Sequence, residues 1–419
     1  MTNERRTVHS NNAPYWRQFI FLGIGMIAYT VCRAGFPVGL AAMSKQFEWT
    51  AFEVGILSTI FLLGQAIIDI PAGYWADSLD RKRVIFVGLF GLGLFTALVT
   101  LATGFWSALV FRVLFGVLEG VYNIAQFAVA GSILPGQRAL VNGMTQVFYG
   151  IGNFGGQTFV GSLLHLYPGF WQLPLWCLGG FAMAYGVLSL FLFQRQYLRR
   201  NETQGVQAKL GFWPTLKVVV TNIRVWKALT IHACNMIPNW AILGLGNYIF
   251  IQYRHYDPAF SSLVFGAGAG AGGLFVPLGT MWADRFGRRP VVCFFGLWMC
   301  VSVLLLFYLA PANWTMIVLG GCVGFGLNSL YTLGYTITQD AVASASMNGI
   351  GVATGMAGGF GYLFAVLAGP LVGWLIPLIG PLWSMNLVVI GGELLVVVFG
   401  FWFLKDEKLA RRTAAAKAS

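Results

Sequence analysis

Gly73-Tyr-Trp-Ala-Asp77-Ser-Leu-Asp80-Arg81-Lys82-Arg83 closes one apolar run and opens the next. Trp282-Ala283-Asp284-Arg285-Phe286-Gly287-Arg288-Arg289 does the same at an offset of 207. In each copy an Asp at a helix end stands a few residues before Arg, where it can face that Arg across a seam and latch one state. Asn142-Gly143 recurs as Asn348-Gly349 at an offset of 206. A chain that repeats itself after half its length is expected to consist of two similar halves.

The sequence around the two copies sets the class. Of 419 residues, 57% are hydrophobic and 10% charged, with mean hydropathy +0.72. Soluble chains sit near 45–50% and about 25%. A soluble enzyme is excluded, and so is disorder, because this much apolar surface does not stay solvated. A bilayer core takes about 20 apolar residues per helix. Twelve such runs lie near 16–43, 53–75, 84–103, 107–134, 141–166, 172–194, 224–251, 259–282, 290–310, 314–338, 347–377 and 382–404. Polar or Pro-Gly breaks separate them, as at Pro135-Gly136 and Asp257-Pro258. The first run is too long for a signal segment and reads as a retained helix. The expected fold is an all-α polytopic membrane protein of twelve helices in two pseudo-symmetric six-helix bundles. Its parts are 1–194, a linker at 195–223, 224–404 and a tail at 405–419.

Charge placement predicts orientation. With the N-terminus inside, 22 of the 26 Lys and Arg fall on inside segments and two outside, Lys45 and Arg254. The remaining two, Arg33 and Arg112, lie within runs. That split places both termini and the linker in the cytoplasm. It also accounts for the net charge of +12 without nucleic acid as a partner. All six Cys lie in apolar runs and none forms a CxxC pair, so neither a disulfide framework nor a metal is expected. A lipid bilayer is the expected surrounding, a bacterial inner membrane the expected location, and a monomer the expected state.

On these residues the chain resembles the major facilitator superfamily, whose loop signature is Gly-x-x-x-Asp-Arg/Lys-x-Gly-Arg-Arg/Lys. Ser78 and Asp80 depart from it in the first copy; the second keeps its core, with Gly279 one place early. Arg112-x-x-x-Gly116-x-x-x-Gly120 in the fourth run is also similar to the superfamily. The first half looks like the anion:cation symporter branch, which includes sialin-like and sugar-acid carriers. Tyr29-x-x-x-Arg33, Gly55-x-x-Ser58-x-x-Phe61, Pro71-x-Gly73, Glu119-Gly120 and Arg138-Ala139 carry that likeness. The resemblance implies that Arg33 contacts a substrate anion and that Glu119 takes part in proton coupling. Cys32 stands where the branch often has Asp, so a second acidic proton site is absent there.

A charge at the centre of a membrane helix costs about 2.5–3.5 kcal/mol or more, so each needs a partner or a wet cavity. Arg33 reads as a two-pronged anchor for a carboxylate or phosphate, with a structural ion pair as the alternative. Glu119 reads as a proton carrier, with a fixed counter-ion to Arg as the alternative. Arg112 reads as packing. Asp69 is expected to act as a gate near Arg81, alongside Asp77, Arg81, Asp284 and Arg288. Glu393 reads as a neutral buried carboxyl in a peripheral helix, His232 as a hydrogen-bonded structural His, and His165 as interfacial.

Polar stripes at helical spacing must turn inward in lipid. The fourth run carries Tyr122, Asn123 and Gln126 beside Glu119; the fifth Gln146, Tyr149, Asn153 and Gln157. The seventh carries His232, Asn235 and Asn239 next to Trp240, and the tenth Asn328, Tyr331 and Tyr335. Half of these would hydrogen-bond between helices; the rest, with Tyr29, would line the substrate path. At the repeat offset Glu119 corresponds to Phe325, so the anion and proton chemistry is expected on the first half. Gly150-x-Gly152-x-x-Gly155 and the glycines of 266–273 match nucleotide loops only formally, since they lie in membrane runs. No cofactor is expected, no catalytic constellation lies at one depth, and there is no Walker loop. The expected function is proton-coupled uptake of a small organic anion. The alternative is proton-driven export of drugs or amphiphiles, against which Asn153 counts, standing where such exporters often have Pro.

Overall fold

The computed structural model describes residues 13–78, 80–133, 138–194, 216–217, 219–309, 313–343 and 350–404. Among them twelve long helices follow one another and no strand occurs. In the first bundle these are α1 (Ala13–Gln46), α2 (Ala51–Thr59 and Phe61–Ser78), α3 (Arg81–Leu98), α4 (Phe105–Ile133), α5 (Arg138–Leu166) and α6 (Gln172–Leu192). The second holds α7 (Ile223–Gln252), α8 (Pro258–Phe286), α9 (Arg288–Leu304), α10 (Trp314–Ala343), α11 (Ile350–Ala365 and Ala368–Ile379) and α12 (Pro381–Phe403). Most of the 195–223 segment lies outside the described residues.

Local chemistry starts these helices where the breaks predict. Thr50 and Glu53 form a reciprocal capping box at α2, and Asp80, Asn222 and Asp257 cap α3, α7 and α8. Ten of the twelve are long and apolar enough to cross a bilayer. The other two, α5 and α7, carry the polar stripes Gln146–Gln157 and His232–Asn239, which lower their hydropathy without shortening them. Outward faces are apolar, with Trp106, Phe191 and Trp402 more than three-quarters exposed. That is the surface lipid requires.

The bundles meet along three seams, α5 on α8, α2 on α11 and α1 on α7. The end of the molecule with the 47–50 and 253–257 turns is tightly closed. Asn247 Nδ2 of α7 donates to Gln157 Oε1 of α5 at 2.9 Å, and Gln252 Nε2 donates to the Ala41 carbonyl of α1. His165 and Asp257 pair across the α5–α8 seam at 2.5 Å. Partial burial acts upward on Asp257. The His165 side chain and the Ala259 and Phe260 amides outweigh it and hold the carboxyl below the usual carboxylate range.

Both helices of the α2–α11 seam are broken, at Ile60 and at Val366–Leu367. Pro370 has no N–H to offer the Val366 carbonyl. Thr59 of the other bundle supplies the donor instead, Oγ1 to Val366 O at 2.8 Å. Nearby, a Cβ on Gly55 or on Gly369 would overlap the other residue's carbonyl. Glycine-to-glycine contact lets backbones touch where side chains would hold them apart. Overpacking costs about 1–3 kcal/mol, about tenfold or more in an equilibrium. Gly369→Ala is therefore expected to open this end. Cysteine at position 58, in a background without the native cysteines, should then react with an impermeant maleimide about tenfold faster. An unchanged rate would show that other contacts control closure.

Gly150, Gly152 and the glycines of 266–273 also act in packing. Gly150 faces Gly270 and Gly273 across the α5–α8 seam, and Gly152 meets Thr30 of α1.

Candidate functional site

Tyr29 and Arg33 are four residues apart on α1 and so share a face. That face meets Glu119 of α4. Arg33 Nη1 lies 3.1 Å from Glu119 Oε1 and donates to Tyr29 Oη at 2.5 Å. Tyr29 in turn donates to the same Glu119 oxygen at 3.0 Å. Arg33 is 7% exposed and Glu119 fully buried, so this ion pair is shielded from bulk solvent. Glu119 Oε2 has no hydrogen-bond partner among the described residues. Among the described residues, the hydrogen bond and ion pair of Arg33 run through Nη1.

The second bundle closes over the pair. The Arg33 guanidinium lies 4.4 Å from the centre of the Trp240 ring of α7, and 5.9 Å from Tyr149 of α5 and Phe61 of α2. Cation–π contact stabilises a desolvated guanidinium without consuming its N–H donors. The Trp240 indole N–H has no partner among the described residues.

Arg112, one stretch of α4 before Glu119, is held differently. Its guanidinium sits 3.8 Å from the Phe36 ring, 4.5 Å from Phe61 and 4.8 Å from Phe115, and Nε donates to Leu57 O at 3.4 Å. This aromatic cage supports the packing reading.

Opposite stand three tyrosines of the second bundle. Tyr331 Oη is 3.1 Å from Tyr362 Oη and 3.3 Å from Tyr335 Oη. His232 of α7 packs its ring 4.8 Å from Tyr335. Its two ring nitrogens have no hydrogen-bond partner among the described residues. The expectation of a hydrogen-bonded structural His is therefore corrected: Gly334 and Gly361, with no side chains, face the ring where a partner would stand.

The other expected residues divide. Gln126 is buried with Oε1 unpartnered, and Asn123 and Asn239 lie on the inward stretches of α4 and α7. Gln157 is taken by the seam bond to Asn247. Asn153 and Asn328 donate to carbonyls four residues back, Tyr149 O and Gly324 O, and Asn328 packs on Gly272. Tyr122 packs inside the first bundle against Gly25, Gly88 and the Tyr29 ring. Glu393 is fully buried and accepts from Asn235 Nδ2 at 3.0 Å.

Among the gating residues, Arg288 bonds Asp284 at 2.6 Å and Asp340 at 3.0 Å. These bonds tie α8, α9 and α10 of one bundle together. The expected latch is thus a clamp within the second bundle; Asp340 went unnoticed because the repeat does not contain it. Arg81 opens α3 behind the Asp80 cap, and the Asp77 side chain lies outside the described residues. Asp69 sits away from the α3 start, between Gly120 of α4 and Gly358 of α11. Gln65 and Tyr362 were not anticipated. Gln65 lies one turn before Asp69, is fully buried, and has both amide atoms unpartnered among the described residues. The Gln65-x-x-x-Asp69 spacing was the available signal for it.

The sequence profile of the Major Facilitator Superfamily matches residues 22–273 and 228–419. A probable chloroplastic anion transporter of Arabidopsis thaliana is 28% identical over 31% of this chain, which spans only about a quarter (26%) of that relative's length. The quinolone resistance protein NorA of Staphylococcus aureus is 25% identical over 84% of this chain and 86% of its own. Among solved structures, a bacterial homologue of the human lysosomal transporter Spinster, inward-facing and unoccupied, superposes with TM-score 0.75 at 13% identity. It covers 93% of this chain and 96% of its own.

Proposed function

Because the chain belongs to the Major Facilitator Superfamily of membrane transporters, we propose that it is a proton-coupled symporter that takes up a small organic anion by alternating access. The observation that carries this reading is the buried Arg33–Glu119 pair, in which Glu119 Oε2 has no hydrogen-bond partner among the described residues. Arg33 balances one negative charge, and Glu119 already provides it. An entering carboxylate can claim the guanidinium only if Glu119 becomes neutral, since two anions on one buried cation are costly. A proton on Glu119 meets that condition, so anion and proton enter together. When the anion leaves, Arg33 returns to Glu119 and the proton is expelled. Trp240, Tyr149, Tyr331, Tyr335 and Tyr362 would then be the walls around the anion. The proposed setting is a bacterial inner membrane, with a monomer whose termini and basic end face the cytoplasm.

Export of drugs is the second reading, favoured by the likeness to NorA over most of both chains. The two separate in proteoliposomes. Labelled sugar acids, aromatic acids and short carboxylates are offered with and without an inward proton gradient. The symporter should accumulate at least one acid, and a protonophore should abolish that accumulation. Failure with every acid, together with proton-driven extrusion of a lipophilic dye, would overturn the symport reading.

A further inference from the structure

Asp69 is a carboxyl that the mechanism above does not use. It is 9% exposed, and Oδ1 has no hydrogen-bond partner among the described residues. Its two oxygens face opposite ways. A Cβ on Gly120, the residue after Glu119, would lie 3.0 Å from Oδ1. A Cβ on Gly358, in the other bundle, would lie 3.8 Å from Oδ2 and 3.4 Å from the Tyr335 hydroxyl. Asp69 thus spans from the backbone beside Glu119 to the α2–α11 seam. It lies nearer the basic end than the Gly55–Gly369 contact on the same two helices.

The groups that act on it electrostatically are Arg33 of α1, Glu119 of α4, Tyr335 of α10 and Tyr362 of α11; Gln65 precedes it on α2. The two buried guanidiniums are engaged elsewhere, Arg33 with Glu119 and Arg112 in its aromatic cage. A carboxylate without a cation costs several kcal/mol in such surroundings, while a carboxylic acid or a hydrated carboxylate does not. Small residues on both neighbouring helices leave this carboxyl unobstructed when the seam parts.

Resting on the symport reading above, we propose that Asp69 is a second proton-binding residue of the cycle, receiving the proton from Glu119 and releasing it at the basic end as the α2–α11 seam opens. As the anion departs and Arg33 re-pairs, the O–H bond on Glu119 breaks and an O–H bond forms on Asp69 through an intervening water. With the seam already parted for that departure, Asp69 gives the proton to solvent and regains its charge. No electrons move, and one proton crosses for each that Glu119 loaded.

The test uses Asp69→Asn, which keeps shape and hydrogen bonding but holds no exchangeable acid proton. In proteoliposomes, counterflow of an anion taken up by the wild type should be unchanged. Accumulation driven by a pH gradient, and the accompanying proton entry read by a trapped pH dye, should be lost. Asp69→Glu should restore both, with a displaced pH profile. Equal loss of counterflow and accumulation in Asp69→Asn would make Asp69 a gate and overturn the proposal. Full accumulation by Asp69→Asn would overturn it while leaving the symport reading intact. A wild type without proton-driven accumulation would overturn both. Should Asp69→Asn fail to fold, the pH profile of Asp69→Glu decides, and a profile identical to wild type overturns the proposal.

Discussion

Arg33→Lys is expected to reduce anion uptake by about 10- to 100-fold, because charge-assisted hydrogen bonds contribute about 1.5–3 kcal/mol each. Lys preserves the charge, and its ammonium can still sit near the Trp240 ring, now 4.4 Å from the guanidinium. What it loses is the planar fork. Among the described residues, Arg33 reaches Tyr29 and Glu119 through Nη1. A rigid plane has further N–H donors from which a carboxylate could take two parallel bonds. An ammonium offers a single point of contact and must choose between Glu119 and the anion. The measurement is initial uptake, beside thermal unfolding in detergent. Reduced uptake with near wild-type unfolding is the expected pair of results. Normal uptake by Arg33→Lys would make the residue a structural ion-pair partner.

Glu119→Gln should separate binding from coupling. Gln has nearly the same volume and mimics the protonated acid, and its carbonyl can still accept the Tyr29 hydroxyl, now 3.0 Å from Glu119. The mutant should exchange anion in counterflow yet fail to accumulate it against a gradient, because no carboxyl loads and releases the proton. Arg33 is then a buried cation without its carboxylate, a loss of about 3–5 kcal/mol when one partner of a buried pair is removed. A saturating anion should restore part of that stability, since it binds only the folded protein. The anion-induced rise in unfolding temperature should accordingly exceed that of the wild type. Wild-type uptake should climb as external pH falls, and the mutant's should be flat. Undiminished pH-driven accumulation by Glu119→Gln would refute the assignment.

Much of this was legible in the chain alone. Bilayer thickness demands a fixed length of apolar helix, so the spans announce themselves, and the Trp-Ala-Asp repeat at 75 and 282 pairs the halves. The cost of a charge in lipid singles out Arg33 and Glu119 for the same reason. Helical periodicity tells which residues share a face, but not what the face meets. Tyr122 and Gln126 are four apart on α4, yet it is Tyr122 that packs against Gly25 and Gly88 inside the first bundle. Asn328 shares the α10 stripe with Tyr331 and Tyr335 but is spent on Gly324 and against Gly272.

Tertiary structure alone decided the pairings over long separation. Glu119 stands 90 residues from Tyr29, and Thr59 lies 307 residues from the Val366 carbonyl it satisfies. Whether a polar group is consumed by packing or left for a ligand depends on which helix lies opposite and how closely it approaches. At Gly120 and Gly358 that approach brings Asp69 against the residue after Glu119 and to the seam. Sequence determined the helices, their number and their two-fold repetition, because those follow from the solvent. The three-dimensional packing decided which buried polar atoms remain free, because that depends on neighbours the local sequence does not contain.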